Sequence, residues 1–122
     1  MLLPTVQLTR EIAMGDRALI IMHSHDRKRY SPVVYLHWDG YRAEEIIQKT
    51  KSVMDGRPDD VDYAVARLVG VASSMIGGNT GLGVWNLESP EAQDEAVWRS
   101  MSHGDKGVFL VDAKTFEIRN FK

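Results

Sequence analysis

The order of apolar runs predicts an α+β fold, a mostly antiparallel sheet of about five strands in the order ββααβ(α)ββ, packed on two helices. Three observations carry this. Two strand-length apolar runs, 17–24 and 32–38, are separated by a short charged turn. Two segments with apolar residues at helical spacing follow, at 42–54 and 60–76. The chain then closes on two short strands, 107–112 and 116–121, with one apolar parity and one mixed parity, as a sheet shielded on one side requires.

Residues 17–24 (Arg-Ala-Leu-Ile-Ile-Met-His-Ser) form a continuous apolar run. Joined to 32–38 through the polar residues 25–30, they read as a hairpin. A turn centred near Lys28 sets residue 23 opposite 34, 21 opposite 36 and 20 opposite 37. Asp39 and Gly40 break the second strand. In the first helix, Ala43, Ile46, Ile47, Thr50, Val53 and Met54 share a face, with Glu44 and Glu45 early and Lys49 and Lys51 late, each suited to the helix dipole. Gly56 and Pro58 end it.

Asp59 or Asp60 caps the second helix, whose stripe of Val61, Val65, Leu68, Val69, Ala72, Met75 and Ile76 makes it the most buried one. Its other face is small: Ala66, Gly70, Ser73 and Ser74. A mid-helix glycine costs about 1 kcal/mol relative to alanine, and close approach of another backbone, from the first helix or a second subunit, is the usual compensation. Gly77-Gly78-Asn79 stops the helix. Residues 82–87 read as a third strand, and Ser89-Pro90-Glu91 as the start of a short helix or ordered excursion reaching Met101 and bearing Val97 and Trp98. In the final hairpin, Val111 faces Phe116, Phe109 faces Ile118, Leu110 faces Glu117 and Val108 faces Arg119. Residues 1–15 read as an N-terminal arm.

At 122 residues and 43% hydrophobic content, the chain closes one core, so residues 1–122 form one domain. A formal charge of −2 gives no general pull toward phosphate backbones or anionic membranes. Nucleic-acid contact would need a local patch, and Arg27-Lys28-Arg29-Tyr30 is the one basic tip that offers it. With no cysteine, the chain has neither disulfide nor thiolate chemistry, which fits a reducing compartment. The first residues lack a basic n-region and are interrupted by Pro4, and no apolar run approaches the roughly 20 residues of a membrane span. A cytoplasmic protein without a cofactor is expected.

The residues that could carry chemistry are few. His23 and His25 lie two apart on one strand, while His37, set opposite Ile20, falls on the other parity about 10 Å along it at roughly 3.4 Å per residue, which disfavours a three-histidine metal site. His37 and Asp39, with His103 and Asp105 from the turn before the fourth strand, could supply acid and base groups if they converge on one substrate atom. As ordinary turns, Asp39-Gly40 and Gly104-Asp105 need no such role. Residues 77–83 follow a helix C-terminus, the wrong pole for a phosphate cradle. No serine or threonine stands in a nucleophile elbow. The acidic residues Glu88, Glu91, Asp94 and Glu95 oppose the basic tip in sign, which leaves self-association open. Trp85 and Trp98 are either core or partner-facing.

At Gly15-Asp16-Arg17-Ala18, at Tyr35-Leu36-His37-Trp38-Asp39-Gly40 and at residues 107–112, the chain resembles a group of small uncharacterised proteins of phages, plasmids and prokaryotic genomes. The likeness spans about residues 15–120, and 88–101 looks like an insertion relative to the group. The resemblance implies a mobile-element context and lends no catalytic residue. The favoured expectation is a non-enzymatic accessory protein that binds a host or defence protein through Tyr35, His37, Trp38, Asp39 and Tyr41, with Arg27, Lys28 and Arg29 as further binding residues. The alternatives are a small enzyme or nucleotide-binding protein using a pocket of His37, Asp39 and His103, and a homodimer formed through Ala66, Gly70 and Ser73.

Overall fold

The structure, a computed structural model, describes residues 15–76, 81–88 and 94–122. Five strands form one sheet: β1 (Ala18–His23), β2 (Val33–Leu36), β3 (Leu82–Trp85), β4 (Gly107–Asp112) and β5 (Ile118–Phe121). The spatial order is β3-β2-β1-β4-β5, antiparallel at every pairing except β1 with β4, which is parallel. Every residue of β1 and β4 is buried, which explains why both read as unbroken apolar runs: they are the central strands, covered on both faces.

A single 3-10 turn, Gly40–Arg42, leads from β2 into α1 (Ala43–Ser52). Then comes α2 (Val61–Ile76), started by Asp60, whose carboxylate accepts the Tyr63 amide hydrogen at 3.0 Å. Asp59 instead accepts the His25 amide hydrogen at 2.7 Å, tying α2 to the β1–β2 turn. Both helices lie on one face of the sheet, where Ile20, Met22, Val34, Leu36, Ile46, Ile47, Leu68, Phe109 and Val111 form the larger core.

The expectation of one bare sheet face is corrected. Leu19, Ile21, Val33, Val108, Leu110 and Phe121 form a second core under α3 (Glu95–Met101), and Trp98 is its most voluminous member, 1% exposed. The parity of Val108 and Leu110 looks mixed only when they are set opposite Arg119 and Glu117; their β5 neighbours are Phe121 and Arg119, and a long arginine covers apolar surface while its head stays polar. Asp94 caps α3 by accepting the Ala96 amide hydrogen at 2.9 Å. The arm, the Gly77-Gly78-Asn79 stop and the Ser89-Pro90-Glu91 start lie outside the described residues.

Both hairpins differ in register from the expectation. Ala18 faces Leu36, Leu19 faces Tyr35 and Ile20 faces Val34, a three-residue shift that reverses the parity between the strands. The Ser24 hydroxyl causes it by accepting the amide hydrogens of Lys28 and Arg29, which draws the turn back onto Arg27 in the left-handed region at φ 60°. His37 therefore lies beyond the start of β1, about 20 Å from His23 at ~3.4 Å per residue, and shares its parity. In the last hairpin, Val111 faces Ile118 and Phe109 faces Asn120, a two-residue shift that keeps parity. There Asp112 accepts the Lys114 and Thr115 amide hydrogens and holds a wider turn. Gly70 has open space around it, so α1 is not the backbone that approaches it.

Candidate functional site

Three sequence segments meet where β2 ends and β1 and β4 begin. The Asp16 amide donates to the His37 carbonyl at 2.8 Å, and the Gly40 amide donates to the Asp16 carbonyl at 2.7 Å. A Cβ on Gly40 would collide with the Asp16 carbonyl oxygen, so only glycine admits this crossing. Arg17 then reaches the third segment: its backbone amide and its Nε donate to Asp105 at 3.0 and 2.7 Å, and an Nη hydrogen goes to the His103 carbonyl at 3.0 Å. The Lys106 amide closes the joint on the Arg17 carbonyl at 2.9 Å. The Arg17 side-chain hydrogen bond, before any other influence, holds the Asp105 carboxyl below the usual carboxylate range.

Above this joint sits a cluster of rings. The Tyr35 oxygen lies 2.6 Å from His37 Nδ1, and the Tyr35 ring neighbours His37, Trp85 and His103 with centroids 5.8, 5.1 and 5.6 Å apart. Trp38 packs edge-on to His37 at 4.3 Å. Burial pushes the Tyr35 phenol up, against the pull of the Arg17 charge, so the phenol is protonated and donates whenever the imidazole keeps its own proton on Nε2. A shallow cavity of about 370 Å³ beside it is lined by Tyr35, His37, Trp38, Gly81, Leu82 and Gly83. A second, of about 400 Å³, has Leu19 and Val33 as its floor, with Trp85, Val97, Met101 and His103 among its walls.

The expected residues thus come together only in part. His37 and His103 converge on Tyr35 from opposite sides, but they line different cavities, and Asp39 lines neither. Asp105 is committed to Arg17. Tyr41 lies outside the ring cluster on the 3-10 turn, 68% exposed. Arg27, Lys28 and Arg29 stand at the far end of β1, about 20 Å away at ~3.4 Å per residue, so they are not part of one surface with Tyr35. Arg29 there donates to both carboxylate oxygens of Asp62 at 3.0 Å. Of the acidic residues, Asp94 caps α3 and Glu95 pairs with Arg99 at 2.6 Å, while Glu91 lies outside the described residues. Among the described residues, no three histidine, aspartate or glutamate side chains are placed to share a metal ion. No helix among them is long and apolar enough to cross a membrane.

The sequence reading missed the edge of the sheet. Among the described residues, β3 pairs with β2 alone, and both Val84 and Trp85 are exposed, at 52% and 42%. The His37 amide bonds to the Gly81 carbonyl at 2.9 Å, and strict antiparallel alternation from that pair turns the backbone groups of Leu82 and Val84 outward. A tryptophan beside glycine in a short strand was the available signal. Comparison with protein-family models, with curated proteins and with solved structures gives no match.

Proposed function

We propose that this chain is a non-enzymatic binding protein that docks another protein along the β3 edge, with Trp85, Tyr35, His37 and Trp38 as its aromatic flank. The carrying observation is an edge strand that, among the described residues, pairs with β2 alone, turns backbone groups outward and exposes Val84 and Trp85 on its two faces. Such an edge is a template for strand addition, and rings with polar tips are suited to protein contacts. Small size and the resemblance noted above favour an accessory protein of a phage or mobile element, with a host or defence component as the target. The joint beneath adds support because it fixes the rings: Asp105 and Asp16 carry their bonds within the joint and leave the imidazoles with a phenol as neighbour.

The test compares baits. Wild-type protein, an Arg29→Ala variant and a Val84→Lys/Trp85→Ala double variant are used to capture protein from host lysate under the same conditions. A stoichiometric protein held by the first two and lost by the third is the expected result. Retention of that protein by the double variant, or the absence of any stoichiometric protein, overturns the reading.

A second reading, a pocket for a nucleotide-class ligand, is favoured by the cavity of about 400 Å³ whose lining includes Trp85 and His103, large enough for a nucleoside and with both apolar and polar walls. It predicts that nucleotides quench tryptophan emission and that Trp85→Phe removes the change. Flat titrations with all common nucleotides dismiss it.

A further inference from the structure

The cavity of about 370 Å³ at the end of β2 has a floor that the fold itself does not require. Gly83 sits within β3 opposite Tyr35, in a register without a bulge, and its backbone is not left-handed. The nearest atoms that a Cβ there would meet are on the Tyr35 side chain at 3.8 Å and the Trp85 ring at 3.9 Å, ordinary van der Waals distances. Neither backbone conformation nor crowding therefore calls for glycine. A glycine weakens a strand, and in a regular one it often marks the close approach of a ligand or another backbone. Gly81, whose carbonyl receives the His37 amide, lines the same cavity.

Rings wall the space over that floor. Tyr35, His37 and Trp38 line it, and their planes are turned against one another, Tyr35 to His37 by 56° and His37 to Trp38 by 84°. A flat ligand can stack on one such wall but meets the next obliquely, whereas a rounded group can touch all three. Among the described residues, the lining carries no arginine, lysine or carboxylate side chain. The phenol faces His37 Nδ1 at 2.6 Å, and the alternation that turns Val84 outward turns the Gly83 amide toward Tyr35, so neither is aimed at an anion. Arg17 beneath has its charge matched by Asp105 at 2.7 Å. What the cavity offers is the electron-rich surface of a tryptophan and a tyrosine, which attracts a cation.

We infer that the cavity over Gly83 binds a trimethylammonium group, held by Tyr35 and Trp38 with His37 as the third wall, and carried either by a choline-type small molecule or by a trimethylated lysine side chain. A quaternary nitrogen has no hydrogen to donate, so it needs no acceptor in the lining, and its methyl groups match the rings in shape and polarity. These rings flank the β3 edge, yet the inference stands apart from docking there, because a free ligand binds the protein with no partner present.

Calorimetric titration of the full chain at about pH 8, above the usual imidazole range, tests it with three probes. They are choline, trimethyllysine capped at both ends, and the neutral carbon analogue of choline, in which a tert-butyl group replaces trimethylammonium. At least one of the two cations is expected to bind about tenfold tighter than the neutral analogue, a comparison that needs no variant. Gly83→Val puts a strand-favouring residue on the floor and fills it, and is expected to weaken that binding by about tenfold or more, as is Trp38→Leu. Arg29→Ala, at the far end of β1, should bind like wild type. Tighter binding of choline assigns the site to a small molecule, and tighter binding of capped trimethyllysine assigns it to a modified protein; both support the inference. Equal affinity for the cations and the neutral analogue overturns it, as does failure of both cations to bind below about 10 mM, or wild-type affinity in Gly83→Val. None of these results bears on the lysate comparison, which reads the β3 edge.

Discussion

The two ends of the sheet differ in what they leave unsatisfied. Where β2 ends, Arg17, Asp105, Asp16 and Lys106 are matched to one another, and the exposed groups are rings and the edge of β3. At the other end, where β1 runs into its turn, His23 is buried with its imidazole held below the ordinary value, and Arg29 pairs with Asp62 in the open. The first end exposes an apolar edge, whereas the second exposes charged side chains around a turn.

The sharpest way to break this comparison is to collapse one layer beneath it. Trp98 roofs the α3-side core and packs on Tyr30, so Trp98→Ala should cost about 3–5 kcal/mol in denaturant unfolding. Gly40→Ala attacks the other end, where the new methyl meets backbone instead of a movable side chain; a loss of about 3 kcal/mol, or failure to fold, is expected.

Acid distinguishes the ends without mutation. Because the folded His23 imidazole has a lowered pKa, the unfolded chain binds more protons just below its ordinary value of 6.5, and stability falls as pH drops from there to the folded value. The lowered Asp26, Asp105 and Asp112 give a second decline beginning at their ordinary 3.8 and ending at their folded values. In thermal melts across pH, His23→Gln should erase the first decline and keep the second. Gly70→Ala serves as a reference remote from both ends: with open space at its Cβ, it should stabilise by about 1 kcal/mol. Smallest of all, Val84→Lys should move stability by no more than about 0.5 kcal/mol, although the edge it alters is the proposed docking surface.

The α+β class, the strand and helix order and the apolar run of β1 were legible because apolar periodicity reports directly on what packs inside. Ala43, Ile46, Ile47 and Thr50 face the core as their spacing required. Register was not legible, since the Ser24 hydroxyl, a local hydrogen-bond acceptor invisible to periodicity, decides where the first turn folds back. The second core was missed because Trp98 is the one residue that α3 buries in it, and one residue has no period. Of the candidate site, Tyr35, His37 and His103 were found in the right neighbourhood. The pairing of Arg17 with Asp105, separated by 88 residues, has no local signature.

Amide hydrogen exchange on the complex formed with the captured partner tests the central claim most directly. If the partner adds a strand to the sheet, the outward Val84 amide, together with that of Leu82, should slow by orders of magnitude on binding, while the amides of residues 25–29 keep their rates. Unchanged exchange at Val84 with slowing confined to residues 25–29 would place the partner at the opposite end and contradict the account.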